Sequence, residues 1–132
     1  MESATLTFGK EERICSRKLI EKLFGGGHSR SLAAYPLRAV YLETERDEAQ
    51  PAVQILISVP KRCLRHAVER NRVKRQVREA YRHHRQMLLD RLSGTPERGL
   101  AVAFIWIDDR LHTTETVDKR VRNLLERIGE RL

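Results

Sequence analysis

VQILISVPKRCLRHAVERNRVKRQVREAYRHHR, residues 53–85, decides the fold. Its first seven residues form an apolar, β-branched run that predicts a strand over 53–59. Pro60 stops that strand, because a proline cannot donate to the sheet ladder. A helical pattern without Gly or Pro then runs from about residue 66 to 92, and Gly94 and Pro96 mark its end. LAVAFIWI, residues 100–107, follows and is apolar on both faces, as expected of a central strand covered on two sides. A strand, a long helix and a doubly buried strand make the pattern of a parallel crossover unit.

Outward from this unit, the sequence predicts a short helix over 16–24. Ser16 is suited to cap it, Leu19, Ile20, Leu23 and Phe24 share one side, and glycines 25–27 end it. Those glycines lack the Lys-Ser/Thr and the preceding strand of a phosphate-cradling loop, so they read as a helix stop and turn. A strand is expected over 37–42, with Leu37, Ala39 and Tyr41 facing one way and Arg38, Val40 and Leu42 the other. The polar, acidic stretch ETERDEAQP, residues 43–51, reads as an exposed hairpin connection. Val117, Val121, Leu124, Leu125, Ile128 and Leu132 recur at helical spacing behind a cap at Thr113 or Thr114. The order predicts one domain spanning residues 1–132, an α/β sandwich on a small mixed sheet.

Charge is concentrated rather than spread. Residues 61–85 hold ten Lys or Arg and two acids, a net +8 that equals the net charge of the whole chain. Solubility charge is ordinarily dispersed and mixed in sign. A field confined to one segment points to a polyanionic partner. On a helical projection, Val73, Val77, Ala80, Tyr81 and Leu88 fall on a stripe about 100° wide. Asn71, Lys74, Arg75, Arg78, Arg82 and Arg85 lie on an arc nearly opposite, with Arg72 on its flank. Arg70 falls near the apolar side and is expected to act at the helix entrance, beside the loop carrying Lys61, Arg62 and Arg65. Few of these cations have acidic partners one turn away, so they repel one another until an anion is bound. Most are arginines, which grip phosphate in a planar, bidentate manner, and the helix N-terminus adds to anion attraction. The segment reads as a nucleic-acid surface, and aromatics at 5% leave room for only a small stacking area.

Other classes are disfavoured. No apolar run approaches the roughly 20 residues needed to cross a bilayer. The start has no apolar signal region, so a cytoplasmic protein without a membrane partner is the simplest reading. Cys15 and Cys63 lack partners at metal-ligand spacing and read as small hydrophobes. A protein nuclease needs clustered carboxylates or a positioned acid–base pair. Asp108 and Asp109 end a strand without an evident third acid and read as a surface turn. His28, His66, His83, His84 and His112 show no metal spacing, and adjacent helical histidines diverge by about 100°. No catalytic residue and no protein-held metal is expected in the chain.

ERNRVKRQVREAYR, preceded by SVPKRCLRHAV after a strand, resembles the signature of the bacterial ribonuclease P protein subunit. LIEKLFGGG is similar to that family's Phe-x-x-Val-Phe-x-x-Gly segment, and the resemblance covers residues 8–132. It implies an α+β two-layer sandwich with a four-stranded mixed sheet and three helices. It also implies a left-handed βαβ crossover, as in the ribosomal protein S5 domain 2-like fold, against the usual right-handed rule. The partners implied are a large catalytic RNA and precursor tRNA, whose 5′ leader is removed by Mg2+-dependent hydrolysis, with Mg2+ bound mainly by the RNA. No obligate protein partner is implied.

Carried onto this chain, the resemblance assigns RNA binding to Lys61, Arg62, Arg65, Arg70, Asn71, Arg72, Lys74, Arg75, Arg78 and Arg82. Ile20, Phe24 and Tyr41 match positions of a cleft for the single-stranded leader. Ile20 stands where the family often has an aromatic, and FGKEER, residues 8–13, is less basic than the family's frequent start. Two further classes, a ribosome-associated structural protein and an independent metal-dependent nuclease, are separable from this reading by a coupled cleavage assay.

Overall fold

The computed structural model describes residues 13, 14, 16–25, 27–46 and 50–132. In chain order the elements are α1 (Arg17–Gly25), β1 (Arg30–Ala34), β2 (Leu37–Glu45), β3 (Val53–Ser58), α2 (Ala67–His84), α3 (Gln86–Leu92), β4 (Arg98–Trp106) and α4 (Thr114–Glu130). The strands form one mixed sheet in the order β1-β2-β4-β3. β1–β2 and β2–β4 are antiparallel, and β3–β4 is the parallel pair joined by the α2–α3 crossover.

Alternation along the strands sorts side chains onto two faces. Leu37, Ala39 and Tyr41 of β2 join Leu100, Val102, Phe104 and Trp106 of β4 in the main core, under α2, α3 and α4. The opposite face carries Ala101 and Ala103 with Leu23 of α1, flanked by Val40, Leu42 and Leu56. The fold is thus an α+β sandwich whose helical layer covers one face, while among the described residues α1 is the helix that lies across the other. Apolar residues on both sides of β4 follow from this position, since β4 pairs with a strand on each edge and is covered above and below.

Local signals explain most boundaries. The Ser16 hydroxyl accepts from Leu19 N at 3.3 Å and caps α1. Gly27, at φ 76°, supplies the left-handed turn beyond its end. Thr113 caps α4 by accepting from Thr116 N at 3.1 Å. Gly99 is required by packing: a Cβ there would meet Thr44 Oγ1 at 2.7 Å across the β2–β4 ladder.

Two expectations change, and one strand is new. The 43–51 stretch is not a hairpin connection, because β4 lies between β2 and β3; the hairpin is β1–β2, turning at Tyr35–Pro36. β1 lacks a long apolar run, since only Leu32 of its five residues is buried, and so gave no strand signal. The single helix expected over 66–92 is two helices meeting at Arg85. The Arg85 carbonyl accepts from both Leu88 N and Leu89 N, a local tightening that no Gly or Pro announces. Beyond it, Leu88 and Arg91 pack against Gly129 of α4, and Leu88 and Leu92 are fully buried.

β1 is an edge strand, and α4 protects that side. Arg127 Nη1 donates to Ala33 O at 2.8 Å and Arg120 Nε donates to Tyr35 O at 2.9 Å. Capping carbonyls in this way removes acceptors that a foreign strand would otherwise use.

Candidate nucleic-acid interface

α2 is built so that one side must face outward. Val73, Val77, Ala80 and Tyr81 are buried in the core, as the apolar stripe requires. Asn71, Arg72 and Arg75 are consequently exposed, and Lys74, Arg78 and Arg82 are partly so. Lys61, Arg62 and Arg65, in the loop before the helix, are exposed as well. That loop is ordered by its own backbone: Cys63 N and Leu64 N both donate to Pro60 O, at 3.0 and 3.2 Å, and Leu64 is buried. The Cys63 thiol lies 3.7 Å from Trp106 O, half-buried, while Cys15 lies outside the described residues.

The predicted RNA-binding cations are not equivalent. Arg70 turns back from the ridge and donates through Nη1 to Leu64 O and Arg65 O, at 2.9 and 2.7 Å, holding the loop against the helix entrance. Arg82 is paired with Glu79 at 2.7 Å, and its hydrogen bond holds the Glu79 carboxyl below the usual range. Arg85, projected onto the cationic arc, is instead buried at the α2–α3 junction, because the turn there withdraws it from solvent. The exposed ridge therefore centres on Asn71, Arg72, Lys74, Arg75 and Arg78.

On the other face, α1 divides the sheet surface. Ile20 and Phe24, four residues apart, lie on one flank, Ile20 half-buried and Phe24 51% exposed. Phe24 is thus not a core residue. On the other flank, Lys18, Lys22 and His28 line an open groove of ≈770 Å3 with Leu42, Glu43, Thr44, Glu45, Arg46 and Gln54. Sequence reasoning missed this set, because its residues come from four separate segments with no common spacing. Tyr41 does not join either flank. It is 3% exposed on the opposite face of the sheet, packed beneath the helical layer, so the expected cleft role is replaced by core packing. Strand alternation dictates this outcome: Leu37 and Ala39 are buried on the same side, and Val40 and Leu42 are the residues that point toward α1.

Asp108 also departs from the surface turn expected of it. It is buried, accepts from Asp109 N at 2.8 Å, and meets His112 Nε2 at 2.6 Å. Hydrogen bonds from Tyr35 and His112 hold its carboxyl down to about 2. Gln76 of α2 donates to His112 O at 3.3 Å and to Thr114 Oγ1 at 3.0 Å, tying this loop to the ridge helix. Among the described residues, no three His, Cys, Asp or Glu side chains gather as a metal ion would require. No described helix is long and apolar enough to cross a membrane. Of the FGKEER stretch, only Arg13 lies within the described residues, bridging to Ile55 beside the β3 edge.

Comparison with known proteins accords with this arrangement. The family model described as Ribonuclease P matches residues 8–129. A ribonuclease P protein component from Porphyromonas gingivalis is 41% identical over 129 residues, covering 96% of this chain and 89% of the relative. One from Chlorobium phaeobacteroides is 38% identical over 107 residues, covering 76% and 72%. Among solved structures, the RNase P protein from Thermotoga maritima is similar with a TM-score of 0.63 at 23% identity, covering 88% of this chain and 96% of that one. A Staphylococcus aureus RNase P protein mutant with defective mRNA degradation activity gives 0.66 at 19% identity, covering 90% and 89%. At those identities the two structures bear on the fold alone.

Proposed function

Because the chain belongs to the ribonuclease P protein family, we propose that it is the protein subunit of ribonuclease P, binding a catalytic RNA and the 5′ leader of precursor tRNA. The observation that carries this reading is the α2 ridge, cationic outside and fully packed inside, beside a loop fixed by Arg70. Such a surface neutralises phosphates without rearranging, so association gains from counterion release and loses little to ordering. Arg72, Lys74, Arg75 and Arg78 contact the catalytic RNA, with Asn71 alongside and Lys61, Arg62 and Arg65 extending the contact.

The leader lies on the opposite face, along α1. Phe24 and Ile20 present apolar surface to unpaired bases, and Lys18, Lys22 and Arg46 offer phosphate contacts from the groove beyond. On this reading the catalytic RNA and the leader lie on different sides of one sheet. The protein then supports endonucleolytic removal of the leader, giving the mature tRNA 5′ end, by binding and orienting rather than by bond cleavage.

Magnesium, when bound, supplies charge neutralisation and an activated water for the hydrolysis. Among the described residues no three His, Cys, Asp or Glu side chains gather about one point, and the proposal assigns the metal to the RNA, whose phosphates suit Mg2+. The reaction, the partners and a cytoplasmic setting follow from this one assignment, with neither a membrane nor a further protein subunit required.

The test is precursor tRNA incubated in Mg2+ with the protein, with its cognate RNA, or with both, at physiological salt. The expected result is no cleavage by protein alone and faster cleavage by the pair than by the RNA. Cleavage by protein alone, or no enhancement of the RNA, would overturn the proposal.

A further inference from the structure

Tyr35 sits at the β1–β2 turn and is 57% exposed, yet it is held in place. Its side chain shares a hollow with the buried Asp108 carboxylate, and its carbonyl accepts from Arg120 Nε at 2.9 Å. The His112 ring stands edge-on to it at 6.3 Å, and His112 is itself fixed by Asp108 and by edge contact with buried Trp106 at 5.5 Å. An exposed aromatic is ordinary when it is mobile. One fixed through its backbone and a neighbouring ring is preorganised, and sacrifices little entropy when a flat partner settles on it.

The surroundings name that partner. Tyr35 and His112 line a hollow of ≈590 Å3 together with Asp109 and Arg110. Arg72, Arg75 and Thr114 line a second hollow of ≈300 Å3 on the flank of α2. His112 and Thr114 are two residues apart, at most ~7 Å of chain, and Gln76 is hydrogen-bonded to both residues. The two hollows are thus neighbours on one surface, arginines in one and a fixed aromatic in the other. Asp109 and Glu79 are exposed there and oppose an anion, but Arg72, Arg75 and Arg110 outnumber them, Glu79 is paired with Arg82 at 2.7 Å, and Asp108 is engaged by His112.

The geometry points to Tyr35 as a stacking platform for an unpaired base of the RNA whose backbone the α2 ridge holds. This inference rests on the docking of RNA proposed above and adds a contact outside both α2 and the leader groove. Phosphates bound by Arg72 and Arg75 leave the adjoining nucleotide close to His112, and its base turns outward onto the Tyr35 ring. An aromatic face accepts any base, so the contact adds affinity without demanding a sequence.

The experiment measures binding of the full chain to its cognate ribonuclease P RNA over a series of salt concentrations. Tyr35→Leu is expected to weaken binding roughly 5- to 100-fold, the loss of one stacked base, with the salt slope unchanged. Tyr35→Phe keeps the ring and removes only the hydroxyl, so it should recover most of that affinity. Arg72→Ala with Arg75→Ala weakens binding and flattens the salt slope. Wild-type affinity in Tyr35→Leu beside a weakened arginine variant would sink the platform and leave the ridge intact. A flattened slope in Tyr35→Leu would also sink it, because stacking releases no counterions. If the arginine variant also binds as wild type, the docking reading itself has failed. Thermal melts of each variant exclude misfolding, and should Tyr35→Leu not fold, Tyr35→Trp replaces it: binding weaker than Tyr35→Phe by tenfold or more overturns the platform.

Discussion

The Arg70 guanidinium reaches back six residues and donates to the Leu64 carbonyl at 2.9 Å, with a second bond to Arg65 O at 2.7 Å. A residue that belongs by sequence to the cationic run is therefore spent on shaping the loop that carries Lys61, Arg62 and Arg65. Arg70→Ala should cost about 1–2 kcal/mol of stability, the range for charge-assisted bonds discounted for partial exposure. It should also weaken RNA binding more than removal of a single phosphate-binding side chain does. Urea denaturation with RNA titration checks this; unchanged stability would return Arg70 to the ridge.

The exposed ridge makes a separate prediction about salt. Replacing Arg72, Lys74 and Arg75 with Ala should flatten the slope of log affinity against log salt by roughly 0.7–0.9 for each phosphate left without its cation. Arg82→Ala should change it less, because Glu79 already neutralises that guanidinium at 2.7 Å. A slope the same as wild type in the triple variant would place the RNA on another surface.

Phe24 and Tyr41 now predict opposite phenotypes. Phe24→Ala removes an exposed ring, so stability should shift by no more than about 0.5 kcal/mol, while affinity for leader-bearing tRNA falls and affinity for mature tRNA is kept. Tyr41→Ala should destabilise by about 3–5 kcal/mol, as for other large buried aromatics. Tyr41→Phe is informative in a different way. Among the described residues the buried Tyr41 hydroxyl has no hydrogen-bond partner, so its removal should be neutral or stabilise by up to about 1 kcal/mol. A selective loss of leader binding in Tyr41→Phe would contradict its place in the core.

Asp108 gives the fold an acid-sensitive element. Its carboxyl is held at about 2, first by the Tyr35 hydrogen bond and then by His112, against an ordinary value of 3.8. The ionised form is favoured in the folded state, so its contribution is complete above about pH 5 and is lost as pH falls from 3.8 toward 2. The size is on the order of 2 kcal/mol. Melting Asp108→Asn beside wild type from pH 7 to pH 2 should show a stability gap that closes over that acid range. A constant gap would mean that Asp108 stabilises by packing alone.

Gly99 offers a packing test of the β2–β4 register. Gly99→Ala drives a methyl onto Thr44 Oγ1 and should cost about 1–3 kcal/mol. Thr44→Ala in the same chain should restore part of the loss, as measured by thermal unfolding. Additive losses would place the strain elsewhere.

The helix periods, the strand over 53–59, the doubly apolar β4 and the concentration of charge were legible without coordinates. Each is a local pattern: burial of one helical face and alternation along a strand are written at fixed spacings of 3.6 and 2 residues. The caps at Ser16 and Thr113 were legible for the same reason, since a hydroxyl bonds a backbone amide only three residues away. The family resemblance added the partner that charge alone left open, and the match to the Ribonuclease P family over residues 8–129 bears out the resemblance.

What only the tertiary structure decided depends on contacts between distant segments. Inserting β4 between β2 and β3 turned an expected hairpin into a crossover, and no local pattern encodes which strands pair. The alternation that set Tyr41 with Leu37 and Ala39 was readable, but which of its two faces lay under the helical layer was not. The division of the cations was likewise hidden. Arg70 holds a loop, Arg82 is bound by Glu79, Arg85 is buried, and Arg72 and Arg75 stay open to solvent. Tyr35 lies far in the chain from the loop that carries Asp108 and His112, and only the pairing of β2 with β4 brings them together. The sequence by itself determined that a packed helix would carry a cationic face; the tertiary structure decided which of those charges remain open to solvent.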